Sequence, residues 1–148
     1  MPSNMYLRLQ SELKQAMLAH DEMRRDTIRL IIAACKFQSV SLEGELSDDD
    51  IVGILVKEKK VRQQSIEEYR LGGRLDLCDR EDREMQVIST FLPQQLSLEE
   101  IEIAVRVAVK ETGALTIKDM GRVMALLSPL KGKADMQIVS AKVKQILS

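Results

Sequence analysis

The chain has no tryptophan and only four other aromatic residues, Tyr6, Phe37, Tyr69 and Phe91. Strands lean on aromatic and β-branched side chains. Their scarcity, beside eight methionines and many Leu, Ile and Ala, argues against an all-β domain and for helices. Proline is equally sparse, with none between Pro2 and Pro93. Boundaries over that stretch must therefore come from glycines and caps. The longest purely apolar run, Leu30 to Cys35, is six residues, whereas a membrane-spanning helix needs about 20. No basic leader with an apolar core opens the chain. These absences predict a soluble cytoplasmic protein that makes no membrane contact. The two cysteines, Cys35 and Cys78, form no C-x-x-C pair, so free thiols and no disulfide are expected. With one histidine and no H-E-x-x-H, G-x-S-x-G, Walker or G-x-G-x-x-G pattern, no catalytic residue, metal or cofactor is assigned. His20 reads as a connector or cap residue.

What is present suits an all-α protein. The 148 residues are 45% hydrophobic and 30% charged, and a chain of this length buries about 68–70% of its unfolded surface. A first helix is expected from Asn4 to Ala19, with Leu9, Leu13, Ala16 and Met17 on one face. A second, Glu22 to Gln38, carries Thr27, Ile28, Ile31, Ala34 and Cys35 inward and Arg25, Arg29 and Lys36 outward. Ser39 to Leu46 is read as a polar connector. Ser47 with Asp50 begins a third helix, which runs to Leu71 and stops at Gly72-Gly73; a fourth covers Leu75 to Phe91. Asp48-Asp49-Asp50 falls in a first turn, where negative charge offsets the helix dipole.

Pro93 breaks the chain, and Ser97 with Glu100 caps the next helix, Leu98 to Thr112, which Gly113 closes. A sixth helix is expected from Thr116 to Leu127. Asp135 opens a seventh, with Ile138, Val139, Val143, Ile146 and Leu147 inward. The organisation is thus a helical N-terminal domain of about four helices over residues 1–92 and a small three-helix tail over residues 97–148.

Charge divides unevenly between them. Residues 1–96 carry 14 Lys and Arg against 17 Asp and Glu, and residues 97–148 carry 8 against 6. From Thr112 onward six basic residues face only Asp119 and Asp135. Lys118, Arg122, Lys131, Gly132, Lys133, Lys142 and Lys144 are the candidate RNA-binding residues: glycine between two lysines at a helix mouth lets amides and ammonium groups approach one phosphate together. The competing reading is a solvated connector. No aromatic follows Phe91, so the tail has no platform on which unpaired bases stack, and recognition would be of shape and phosphate. A second cluster is a polar seam of Arg62, Ser65, Arg74, Glu81 and Glu84. If the helices on either side of Gly72-Gly73 fold back antiparallel, Arg62 comes near Glu84 and Ser65 near Glu81, a pairing read as register-setting rather than chemical.

Several of these residues carry a resemblance. Val61 to Tyr69 (V-R-Q-Q-S-I-E-E-Y), Gly73 to Leu77, Glu81 to Glu84 and Phe91 to Leu96 resemble, in order and spacing, the N-terminal signature of the small GatB/YqeY proteins. Lys118 to Met124 and Gly132 to Asp135 are similar to the tail domain shared with the B subunit of the glutamine-dependent tRNA amidotransferase. Phe91 stands where Tyr is usual, and Gly72-Gly73 replaces a more common Ala-Gly. The resemblance covers nearly the whole chain. It implies a non-catalytic tRNA-binding or translation-associated accessory, with tRNA and translation or amidotransferase components as possible partners. It does not imply the amidotransferase reaction, which in that family belongs to a cradle domain and a partner subunit. A carbon–nitrogen ligase with glutamine as amide donor would be the relative's label. The alternative is a protein–protein adaptor docking through the long third and fourth helices.

Overall fold

The computed structural model describes residues 2–148, which fall into two compact units, one reaching Leu92 and the other starting at Pro93. Seven α-helices are present among the described residues. The first unit holds α1 (Asn4–Leu18), α2 (Glu22–Leu42), α3 (Asp48–Leu71) and α4 (Leu75–Phe91). The second holds α5 (Leu98–Thr112), α6 (Met120–Leu126) and α7 (Met136–Leu147), with 3-10 turns at Ile117–Asp119 and Ser128–Leu130. The fold is all-α.

Starts and stops follow local chemistry. Ser47 accepts from the Asp50 amide at 3.1 Å while Asp50 accepts from the Ser47 amide at 2.9 Å, which fixes the start of α3. Ser97 and Glu100 do the same for α5. Four helices end in one pattern: a left-handed residue whose amide, and that of the residue after it, bond back onto the last turn. That residue is His20 in α1 (φ 57°), Glu43 in α2 (φ 55°), Gly73 in α3 (φ 74°) and Gly113 in α5 (φ 67°).

Some expectations need correction. The second helix does not stop at Gln38 but runs to Leu42, because Glu43 takes the left-handed position ahead of Gly44. The expected sixth helix is split: Asp119 accepts from the Leu115 and Thr116 amides, tightening the entry into a 3-10 turn before α6. Ile138 does not face inward; it is 42% exposed.

The core of the first unit is built from Leu9, Ile28, Ile31, Cys35, Ile51, Leu55, Ile88 and Phe91. Burying side chains of this size contributes about 1.5–3 kcal/mol each. Phe91 is clamped from above: the Arg8 guanidinium lies 5.1 Å and that of Arg24 5.7 Å from its ring centroid, and Arg8 also donates to the Thr90 carbonyl at 2.8 Å. The second unit packs α5 and α6 on α7 around Ile101, Val105, Val123, Val139 and Val143.

Candidate functional site

The cations of the tail are placed by three short elements. Lys118 is exposed in the 3-10 turn that leads into α6. Arg122, one turn further on, is already engaged: it donates to Asp119 at 2.7 Å and to the Thr112 carbonyl at 3.3 Å. Asp119 therefore ties together the Leu115 and Thr116 amides and Arg122, and these bonds hold its carboxyl down at about 2. Lys142 on α7 is half-buried beside Gln145 and Glu102, whose own carboxyl is held low by Arg106 and then by Lys142.

Lys131, Gly132 and Lys133 form a fixed turn. The Lys131 amide donates to Ser128 at 3.1 Å, and the Lys133 amide donates to Leu130 at 2.8 Å. From the chain following Pro93, Gln95 Nε2 donates to the Gly132 carbonyl at 2.7 Å and the Leu96 amide to the Lys133 carbonyl at 2.8 Å. Gly132 is buried at φ 88°, a conformation side-chain-bearing residues rarely take, while Lys131 and Lys133 stand exposed on either side. The turn does not open directly onto the amides of α7, because Asp135 occupies that helix end and accepts from the Gln137 amide at 2.9 Å. Gly132 thus shapes the turn from inside. Lys118, Lys131, Lys133 and Lys144 are exposed and have no carboxylate partner among the described residues.

The polar seam lies between α3 and α4. Arg62, 6% exposed, donates from Nε to Glu84 at 3.0 Å and from Nη1 to the Glu58 carboxylate at 2.8 Å and the Glu58 carbonyl at 3.1 Å. Burial works against the charged guanidinium, but the bonds from Glu58 and Glu84 outweigh it and raise its pKa. Half-buried Glu81 is shifted upward, first by burial and then by the neighbouring Glu84. Ser65 is half-buried and makes no side-chain hydrogen bond among the described residues. Arg74 is not part of this cluster: it is exposed and pairs with Asp76 at 3.2 Å. Glu58, which the sequence reading passed over, is signalled by its position four residues before Arg62. Arg62, Glu58 and Glu84 thus form a pre-paired ion cluster between the two helices.

Elsewhere, Cys35 is a buried free thiol pushed up to about 11 by burial, and Cys78 donates to the Ile66 carbonyl at 3.4 Å across the α3–α4 hairpin. No group of three or more His, Cys, Asp or Glu able to hold a metal occurs among the described residues. No described helix is long and apolar enough to cross a membrane.

The chain matches the YqeY-like protein family over residues 7–147. Among curated proteins it is similar to altered inheritance of mitochondria protein 41, mitochondrial. The Lachancea thermotolerans protein of that name is 33% identical over 104 residues, covering 68% of this chain and 54% of the relative. The Vanderwaltozyma polyspora protein is 29% identical over 126 residues, covering 80% and 68%. A Saccharomyces cerevisiae protein is 32% identical over 99 residues, covering 64% and 52%. The chain thus spans about half the length of the Lachancea and Saccharomyces relatives. These names state no reaction. They do correct the cytoplasmic placement expected from the sequence, since the relatives are named as mitochondrial proteins. With nearly its whole length matched, the chain belongs to the YqeY-like protein family.

Proposed function

We propose that this protein is a non-catalytic RNA-binding accessory of translation, which holds the phosphate backbone of a folded RNA, tRNA foremost, with lysines of its second unit. The observation that carries this reading is the Lys131–Lys133 turn. Its backbone is tied down by Leu130, Gln95 and Leu96, so two ammonium groups with no carboxylate partner among the described residues are presented from a fixed base. Little further ordering would be needed to place them on adjacent phosphates, and preorganisation of that kind favours binding. Lys118 and Lys144 supply further unpaired charge in the same unit. The lack of any aromatic after Phe91 fits recognition of shape and phosphate over base stacking. The likeness of Lys118 to Met124 and of Gly132 to Asp135 to the amidotransferase tail supports tRNA as the RNA. The paired state of Arg62, Glu58 and Glu84 supports a structural role for the seam.

The test is a titration of purified protein against tRNA and a length-matched duplex RNA, at low and at physiological salt. Tighter binding to tRNA that persists at physiological salt, and is weakened by Lys131→Glu with Lys133→Glu, is the expected result. Equal binding to both RNAs that vanishes with salt, or a double variant that binds as well as the parent, contradicts it.

A further inference from the structure

Gln95 uses both hydrogens of its side-chain amide within the second unit. Nε2 donates to the Pro93 carbonyl at 2.8 Å and to the Gly132 carbonyl at 2.7 Å. Because carbonyl oxygens only accept, the end of the amide facing them must be its NH2 group. The other branch carries Oε1, which accepts no hydrogen bond among the described residues. Gln95 is an exposed residue, and an acceptor there meets water or a ligand. A surface glutamine ordinarily samples many rotamers and loses that freedom when a ligand fixes it. Here the amide is fixed before any ligand arrives.

The carbonyl that Gln95 grips lies between Lys131 and Lys133 in the chain, and the Leu96 amide holds the Lys133 carbonyl at 2.8 Å. Asp135, the next acid along the chain, is engaged at the start of α7, where it accepts from the Gln137 amide. The turn therefore offers two kinds of group side by side. The ammonium groups donate and carry charge, which suits phosphate oxygens. The Gln95 oxygen is neutral and only accepts, so a phosphate oxygen cannot satisfy it and a ligand hydroxyl can. Along a nucleic-acid backbone the hydroxyl that recurs beside every phosphate is the ribose 2′-hydroxyl, which deoxyribose lacks.

We propose that Gln95 Oε1 accepts a hydrogen bond from a ribose 2′-hydroxyl while Lys131 and Lys133 hold neighbouring phosphates, so that the second unit selects a ribose over a deoxyribose backbone. The inference rests on the RNA-binding reading above and narrows its ligand by the sugar. The selection is independent of base sequence, because the hydroxyl is present at every nucleotide and no aromatic after Phe91 offers a base a stacking platform.

The test compares tRNA with the same tRNA carrying 2′-fluorine in place of every 2′-hydroxyl, a change that removes the donor hydrogen and leaves the phosphates in place. The full-length protein should bind the ribose form about three- to tenfold more tightly, roughly what one hydrogen bond contributes. The salt slope should be the same for both forms, since the phosphate contacts are unchanged. Gln95→Leu, which keeps no acceptor, should bring the ratio of the two affinities to about one. Because Gln95 is exposed, far-UV circular dichroism should show unchanged helicity in that variant. Lys131→Glu with Lys133→Glu should weaken both forms together and leave Gln95 in place. A distorted fluorinated tRNA would lower binding by the parent and by Gln95→Leu alike, so the change in ratio isolates the contact. A parent that binds both forms equally through the lysine pair overturns this inference and leaves the RNA-binding reading standing. A preference for ribose that persists in Gln95→Leu also overturns it. Absence of tRNA binding by the parent, or binding indifferent to the lysine pair, overturns both.

Discussion

Asp119 and Arg62 are the two residues whose environments most clearly exceed ordinary surface chemistry. Asp119 gains two backbone amides and Arg122, so its carboxyl is held at about 2 against an ordinary 3.8. A depressed carboxyl contributes stability above its unfolded value, and loses it as the pH falls through the folded one. The turn into α6 should therefore keep its Asp119 bonds through pH 3.8 and release them as the pH approaches about 2. A carboxyl-detected NMR titration reads this directly, and a midpoint at 3.8 or above would contradict the bonding described. Arg62 is nearly inaccessible and shared by Glu58 and Glu84. Arg62→Ala would remove the cation shared by Glu58 and Glu84 and leave Glu84 only its longer 3.7 Å contact with exposed Arg80, a loss of about 3 kcal/mol by urea denaturation. Arg62→Lys should recover only part, since one ammonium cannot reproduce the fork that reaches both acids. A cost under about 0.5 kcal/mol for the alanine variant would mean that the cluster is merely a surface ornament of the hairpin.

Among the elements, the shared manner of helix termination gives the sharpest test. Gly73 and Gly113 adopt the left-handed conformation freely, but His20 and Glu43 do so against Cβ crowding. His20→Gly or Glu43→Gly should raise stability by about 0.5–1 kcal/mol, and Gly73→Ala should lower it by about 1 kcal/mol or more. Thermal unfolding of the three variants reads the signs, and a uniform loss would contradict the cap assignment. The same comparison explains what could be read from the sequence. Helix ends marked by glycine or by a Ser-x-x-Asp or Ser-x-x-Glu box, such as α3 and α5, were legible because those residues act through local backbone geometry. The end of α2 was not, because a glutamate takes the place that glycine usually fills and Gly44 only follows it. The meeting of Arg62 with Glu84 follows from counting residues on either side of Gly72-Gly73. The capture of Arg122 by Asp119 was signalled by their i, i+3 spacing, but the 3-10 turn at Ile117–Asp119, one residue tighter than an α-helical turn, was not.

For the whole molecule, the decisive feature is how free charge is divided. Formal counting gives the tail six cations from Thr112 onward. Arg122 is bound to Asp119, and Lys142 sits beside Glu102. Lys118, Lys131, Lys133 and Lys144 are left for the proposed RNA contact, and the expected salt dependence is correspondingly shallower. Four phosphate contacts give a log–log slope of affinity against salt no steeper than about −4, where six would allow about −5. Family membership fits this picture without supplying it, because the YqeY-like match spans both units and the names of the relatives state no reaction. The most direct test of RNA binding by the second unit is the slope itself, measured with tRNA for the parent protein and for Lys131→Glu with Lys133→Glu. The account predicts a parent slope between about −2 and −4 and a decrease in its magnitude of about 2 in the double variant. An unchanged slope in that variant, or no measurable tRNA binding by the parent at low salt, would contradict it.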